Sequence, residues 1–135
     1  MFITTKEEKY FKELDFFQKF ESPNWSKVNT LGLLSLRVHL DDLPECADKN
    51  VISRKFYTLV NGLYNQYKFA GGKISLKKFE WGSNGEIAEI GAILGIAYLK
   101  EKDAKFAEGM LSHFNYILGC NPTEYSFVTM FGDKY

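Results

Sequence analysis

Cysteine is scarce in this sequence. Only Cys46 and Cys120 are present among 135 residues, and they lie far apart in unlike contexts. Neither belongs to a C-x-x-C motif or to a cluster of cysteine and histidine, so no zinc site is predicted. A disulfide between the two is one interpretation, and two free thiols is the favoured one. We expect no metal and no cofactor.

An excess of charge of one sign is also missing. The chain has 17 basic and 17 acidic residues, and no run of like charges reaches five. Proteins that bind nucleic acids draw most of their affinity from neutralised phosphates, so nucleic acid is not an expected partner.

Long hydrophobic runs are absent as well. The longest apolar stretches, such as residues 90–99, are about half of a bilayer span, so no membrane partner is expected. The first residues lack the basic region followed by an apolar one that marks a signal peptide, and none is predicted.

Aromatic residues are abundant, with twelve Phe and eight Tyr, and hydrophobic residues make up 45% of the chain. This composition excludes intrinsic disorder. Large rings either fill a core or line a groove for a flat ligand such as a sugar.

The spacing of apolar residues predicts five helices and no convincing sheet. The first begins at Thr4 and Thr5, each with a glutamate three residues later as in a capping box, and ends at Ser22-Pro23. Residues 26–40 fit a helix through Val28, Leu31, Leu34 and Val38, although residues 34–40 also alternate as a strand does. A helix buried on most sides is favoured there, and a loop is predicted over residues 41–50.

The other three helices have clearer patterns. Apolar residues from Ile52 to Tyr67 predict about five amphipathic turns, ended by Gly71-Gly72. The next helix opens with a capping box at Ser83 and Glu86 and is apolar nearly all round to Leu99, so it is expected to be interior. Its small residues at helical spacing, which would let another helix approach, are Ala88, Ala92 and Gly95.

The last predicted helix has Asp103 as its N-cap and ends at Gly119 and Pro122. Its expected apolar face consists of Phe106, Met110, Phe114, Ile117 and Leu118. Five helices joined as hairpins indicate either a small bundle or a slice of a helical barrel, and an all-apolar inner helix favours the barrel.

Three motifs near the end of the chain resemble glycoside hydrolase family 9. Residues 81–84 (W-G-S-N) resemble the family's W-G-S-x, residues 115–122 (N-Y-I-L-G-C-N-P) its D-Y-I-L-G-x-N-P, and residues 126–132 (S-F-V-T-M-F-G) its S-Y-V-T-G-F-G. The match is strongest over residues 79–135, while residues 23–25 and 31–33 match more loosely. The resemblance identifies residues 1–135 as the C-terminal part of a family 9 catalytic domain.

The resemblance implies an all-α fold in which helical hairpins form part of an (α/α)6 barrel. It also implies an inverting hydrolase that cleaves β-1,4-glucosidic bonds in cellulose-like glucans or oligosaccharides. Inversion requires a carboxylate base that activates water and a carboxylic acid that protonates the leaving oxygen, about 6.5–9.5 Å apart.

No catalytic residue of the family is recognisable in this chain. Nothing matches the D-A-G-D-like motif of the base, and the only adjacent aspartates, Asp41-Asp42, are expected in a solvated loop. The H-H-R motif before the catalytic glutamate would begin beyond Gly132, and neither His39 nor His113 matches it. We therefore expect this chain alone to be inactive, and either to be marginally stable or to associate with itself or with the missing remainder of the domain.

Two tryptophans are candidates for contact with the β-linked glucan or oligosaccharide. Trp25 is either a platform on which a glucose ring stacks, as the resemblance implies, or a packing residue at a helix start. Trp81 is either a sugar contact or, as favoured, a packing residue that fixes its loop. The alternative function is a non-catalytic helical module that binds a carbohydrate or a protein.

Overall fold

The computed structural model describes residues 2–12, 14, 15, 18–24 and 26–135, and only the backbone of Phe2 and Ile3. Within these residues the chain forms helices and a single isolated bridge between Asn24 and Lys27, with no strand. The helices are α1 Phe2–Thr5, α2 Lys9–Lys12, α3 Asn29–Val38, α4 Lys49–Phe69, α5 Ser83–Glu101 and α6 Ala104–Ile117, with a 3₁₀ helix at Leu40–Asp42. The predicted all-α fold of helical hairpins, as in part of an (α/α)6 barrel, is confirmed.

The prediction of a single helix from Thr4 and Thr5 to Ser22-Pro23 is wrong. Lys6 adopts a left-handed backbone conformation with φ of 61°, and this separates α1 from α2. The hydroxyl of Thr5 accepts a hydrogen bond from the N–H of Glu7 at 3.3 Å. Leu14 and Asp15 are not helical. Phe17, which lies within the same predicted helix, is outside the described residues.

Helix α3 confirms the helical interpretation of residues 26–40 over the strand. The prediction that it is buried on most sides is wrong, because Thr30, Leu33 and Leu34 are buried whereas Leu31 and Val38 are exposed. Thr30 is fully buried although it is polar. Its hydroxyl donates to the carbonyl oxygen of Glu21 at 2.5 Å, which offsets the cost of burial.

Helix α4 agrees most closely with its predicted pattern. All six residues of the predicted apolar face are buried: Ile52, Phe56, Leu59, Val60, Leu63 and Tyr67. The carboxylate of Asp48 caps the helix by accepting the N–H of Val51 at 3.0 Å. The helix ends at Phe69 with Ala70 in an extended conformation, so Gly71-Gly72 follow the end and do not form a left-handed cap.

Helix α5 begins where expected but without the predicted capping box. The Ser83 hydroxyl donates to the carbonyl oxygen of Glu80 at 2.5 Å and accepts the Glu80 N–H at 2.6 Å. Glu86 instead accepts a hydrogen bond from Ser22. One side of the helix is buried, including Ile87, Ile90, Ile93, Leu94 and Ala97, whereas Leu99 is exposed, so the interior position expected for the whole helix is not reached within this chain.

Helix α6 confirms Asp103 as its N-cap, since the Asp103 carboxylate accepts the Lys105 N–H at 3.1 Å. Gly119 follows the last turn with φ of 115°, as a glycine after a helix end should. The predicted apolar face is partly wrong. Phe106 is buried, but Phe114 and Leu118 are exposed, and His113 is buried in their place.

The main core lies where α3, α4, α5 and α6 meet. Its fully buried large side chains are Leu33, Ile52, Phe56, Ile90, Ile93, Leu94 and Phe106. At its edge the guanidinium of Arg37 pairs with Glu101 at 2.8 Å and lies 5.6 Å from the centre of the Phe56 ring. This contact joins α3, α4 and α5.

Glycines set the close approach of α5 to α6. A Cβ added at Gly91 would lie 3.2 Å from the Cβ of His113, and one added at Gly109 would lie 3.0 Å from Cδ1 of Leu94. Of the small residues expected at this contact, Gly95 faces Met110, but Ala92 is exposed. The prediction of a small-residue contact was therefore right at Gly95 and wrong at Ala92, where the preceding residue, Gly91, makes the close contact.

The segment after α6 folds back on the helix through Asn121. Its side-chain amide donates to the carbonyl oxygens of Tyr116 and Tyr125, at 2.8 and 2.7 Å, while its oxygen accepts the N–H of Thr123 at 3.0 Å. A second small core of Ile74, Ile87 and Tyr116 lies beside this segment.

Substitution of Gly91 tests the close packing of α5 on α6. We expect Gly91→Val to lower the free energy of unfolding by about 1–3 kcal/mol, because the added methyl groups overpack the contact with His113. Gly62 in α4 has open space around it and serves as the control. Gly62→Ala should raise the free energy of unfolding by about 0.5–1 kcal/mol through helix propensity alone. Urea unfolding followed by circular dichroism measures both, and equal effects at the two sites would contradict the packing.

Candidate functional site

A groove of about 1160 Å³ runs along one side of the molecule. Its walls are the chain before α3 (residues 18–22, Asn24 and Lys27), one face of α4, residues 75–78 and 80–83, and the first turns of α5. The groove is mixed in character, with Leu59 and Leu63 on its α4 side and charged residues on the others.

Trp81 lies on the groove wall with 89% of its surface exposed. The favoured prediction, that its ring packs to fix the loop, is therefore wrong. Two neighbours fix the loop instead. Phe79 stacks on Tyr116 with 6.3 Å between ring centres and 27° between planes, and Ser83 bonds to both backbone groups of Glu80. Gly82, with φ of 85°, makes the turn into α5.

Trp25 lies outside the described residues. The residues around it belong to a turn built by Asn24, whose side-chain oxygen accepts the N–H groups of Ser26 and Lys27, each at 3.0 Å. Asn24 and Lys27 both line the groove. Asn24 and Lys27 therefore border the same groove as Trp81.

Carboxylates enter the groove from two sides. Glu86 in the first turns of α5 accepts a hydrogen bond from the hydroxyl of Ser22 at 2.5 Å, which ties α5 to the chain before α3. In the segment before α3, the carboxylate of Glu21 pairs with the ammonium group of Lys19, and with that of Lys27 at 3.2 Å. The hydrogen bonds and charges of these two lysines lower the pKa of Glu21.

Glu89 lies one turn after Glu86 on the same helix and also lines the groove. Partial burial of its carboxyl group, and then the negative charge of Glu86, raise the pKa of Glu89. Residues three apart on a helix share one face. Glu86 and Glu89 therefore lie on the same wall of the groove and do not face each other across it.

The adjacent aspartates, His39 and the two cysteines lie outside the groove. Asp41 and Asp42 are exposed in the short 3₁₀ helix, where Asp42 lies 3.3 Å from Nδ1 of His39, and none of the three lines the groove. Cys46 and Cys120 are both free and exposed, as the favoured prediction of two thiols stated. Among the described residues, no group of three or more His, Cys, Asp or Glu could hold a metal ion, and no helix is long and apolar enough to cross a membrane.

One buried residue that contacts the groove wall was not recognised from the sequence. His113 is fully buried, and its Nε2 accepts the N–H of Ser75, a groove residue, at 2.9 Å. The only sequence signal for this role is a histidine among apolar residues, four positions after Gly109.

Comparison with known proteins identifies the family of this chain. The model of glycosyl hydrolase family 9 matches residues 1–135, which includes the upstream half whose motifs were looser. The chain belongs to glycosyl hydrolase family 9. No solved structure matches it.

Two characterised proteins are similar to this family 9 chain. A cellodextrinase from Butyrivibrio fibrisolvens is 27% identical over 117 residues, which is 85% of this chain and 21% of the relative. A cellulose 1,4-beta-cellobiosidase from Acetivibrio thermocellus is 26% identical over 120 residues, which is 82% of this chain and 13% of the relative. The chain thus spans about a fifth or less of the length of these relatives.

Neutralising Glu86 tests the electrostatics of the groove wall. In Glu86→Gln the pKa of Glu89 should fall, because the nearby negative charge that helps to raise it is removed, while the share due to burial persists. Carboxyl-carbon NMR titration of Glu89 measures the change. Glu80→Gln, also in the groove wall, is the matched control and should leave the pKa of Glu89 unchanged. An unchanged Glu89 pKa in Glu86→Gln would contradict the coupling.

Proposed function

We propose that this chain is the scaffold and one sugar-contacting wall of a family 9 enzyme that hydrolyses β-1,4-glucosidic bonds in cellulose-like glucans or oligosaccharides with inversion. The acid and the base come from parts of the family domain that this chain does not contain. The observation that carries the proposal is the family match over residues 1–135, with Trp81 exposed on the wall of a groove. The names of the two relatives, a cellodextrinase and a cellobiosidase, support a β-1,4-glucan as the substrate class.

The Trp81 ring has the properties of a sugar platform. Aromatic rings bind the apolar faces of flat ligands, and polar groups nearby fix the orientation of such ligands. The same groove contains Asn24, Gln66 and Glu86, whose side chains can bond sugar hydroxyls. Trp25 is proposed as a second stacking residue on the strength of the resemblance alone.

We assign the carboxylates of the groove to binding and not to inverting hydrolysis. That reaction needs a base and an acid separated by the space for one water molecule and the sugar ring. Glu86 and Glu89 share one face of α5, and Glu21 on the opposite side is held by two lysines. This arrangement supports a binding role for the groove and leaves the bond-breaking step to other parts of the domain.

Exposed apolar side chains on α5 and α6 support a further partner. Leu99 is 62% exposed and Leu111 is 54% exposed, and Phe114 and Leu118 add to the same two helices. Exposed apolar area on helices of a barrel family is the surface that neighbouring hairpins would cover. We propose that the remainder of the domain covers it, and that the chain by itself covers it by self-association.

The binding role predicts affinity without turnover. With soluble cellodextrins, calorimetry should detect binding to this chain, while a reducing-end assay should detect no cleavage. Trp81→Ala should weaken binding about tenfold, because loss of an exposed aromatic contact costs on the order of 1.4 kcal/mol.

Phe69→Ala is the matched control, since Phe69 is a ring that is 82% exposed and does not line the groove. It should leave the affinity unchanged. Cleavage by the 135 residues alone would mean that they contain an acid and a base. A non-catalytic binding module would also bind without turnover. The coding sequence on either side distinguishes the two, because only the enzyme has D-A-G-D-like and H-H-R motifs there.

Self-association predicts an oligomer in solution. In sedimentation velocity the purified chain should sediment as a species larger than 15.6 kDa, and Leu99→Lys should shift it towards the monomer by placing a charge on the apolar surface. Lys68→Glu, at an exposed position of α4, is the control for a change of charge. A monomeric chain that binds no hydrophobic dye would contradict this proposal.

A further inference from the structure

His113 makes two hydrogen bonds that fix its protonation state. Its Nδ1 lies 2.7 Å from the carbonyl oxygen of Gly109, and its Nε2 lies 2.9 Å from the backbone nitrogen of Ser75. A carbonyl oxygen only accepts and an N–H only donates, so Nδ1 carries the proton and Nε2 accepts. The imidazole is therefore held as one neutral tautomer.

The Ser75 end of this contact belongs to the groove wall. Ser75 also donates through its hydroxyl to the carbonyl oxygen of Leu63 in α4 at 2.6 Å, and residues 75–78 line the groove. One residue earlier Ile74 is buried, and the carbonyl oxygen of Lys73 accepts the Ser112 hydroxyl at 2.6 Å. The segment 73–78 has no helix or strand of its own, so these bonds to α4 and α6 hold it.

We infer that His113 is a positioning residue for the groove wall formed by residues 73–78, and that a second proton on its imidazole releases this wall. Protonated Nε2 is a donor facing the N–H of Ser75, so the bond is lost and two hydrogens are opposed. Because the wall carries Ser75, Leu76, Lys77 and Lys78 into the groove, its release changes the shape of the groove. The inference concerns the wall and does not depend on the proposed hydrolase function.

The groups around His113 favour this behaviour. Burial lowers the pKa of the imidazole, and the bond to Gly109 opposes this in part. From α4 the Tyr67 ring lies 6.1 Å away, and its hydroxyl donates to Glu108 on α6 at 2.8 Å. From the wall itself Lys73 places its ammonium group 5.9 Å from the Tyr67 ring centre. Helix α5 presents Gly91, which has no charge.

The direction of the pH effect follows from proton binding. A histidine whose pKa is lowered on folding binds fewer protons when buried than when released, so protection by the wall is complete above the free pKa of about 6.5 and is lost as the pH falls below it. If the released imidazole titrates at about 6.5, opening of the wall increases by up to about eightfold between pH 7 and pH 5.5.

Hydrogen exchange at the Ser75 amide tests the inference in the full chain. The protection factor of this amide should fall by up to about eightfold from pH 7 to pH 5.5, while that of the Val60 amide in the core of α4 stays constant. In His113→Gln the side-chain oxygen replaces Nε2 as acceptor and does not titrate, so the amide should stay protected at both pH values. In His113→Asn the side chain reaches only Gly109, and protection should fall about tenfold at pH 7.

Two outcomes would overturn the inference. One is a Ser75 protection factor with the same pH dependence in the native protein and in His113→Gln. The other comes from the native protein alone and therefore does not require either variant to fold. If nitrogen NMR shows Nε2 of His113 gaining a proton while the Ser75 and Leu76 amide signals stay in place, the wall does not respond to the imidazole.

Discussion

Helices α5 and α6 pack closely through glycines, and the position of the groove wall beside them depends on this contact. With Gly91 against His113 and Gly109 against Leu94, the two backbones approach until the histidine has no access to water. Burial in turn forces both ring nitrogens to find protein partners. One of those partners is Ser75, so the packing of two helices helps to fix the position of the loop that contains it.

The groove is a product of segments that are distant in sequence. The chain before α3 reaches α5 through the hydroxyl of Ser22 and the carboxylate of Glu86, which are 64 positions apart. The opposite wall is held to α4 and α6 by Ser75. Each side of the groove is therefore bonded to the helical frame and not only to itself.

Local patterns predicted the helices whose signals act over a few residues. The α4 face and the Asp103 cap were predicted because periodicity and capping are decided within one or two turns. The first helix failed because a left-handed Lys6 has no sequence signature. The Ser83–Glu86 capping box failed because Ser22, far away in sequence, competes for Glu86. Trp81 was expected to pack because its sequence neighbours do not reveal that Phe79 stacks on the distant Tyr116 and so helps to hold the loop.

The amide of Asn121 has a consequence for which residues this turn tolerates. Its nitrogen donates to two carbonyl oxygens, and its oxygen accepts the N–H of Thr123. The turn therefore requires a donor and an acceptor on one short side chain. An aspartate would aim a negative oxygen at two carbonyls, and a glutamine would carry the same groups one methylene too far. Asparagine is thus the one amino acid whose size and polarity both suit the fold-back of the chain after α6.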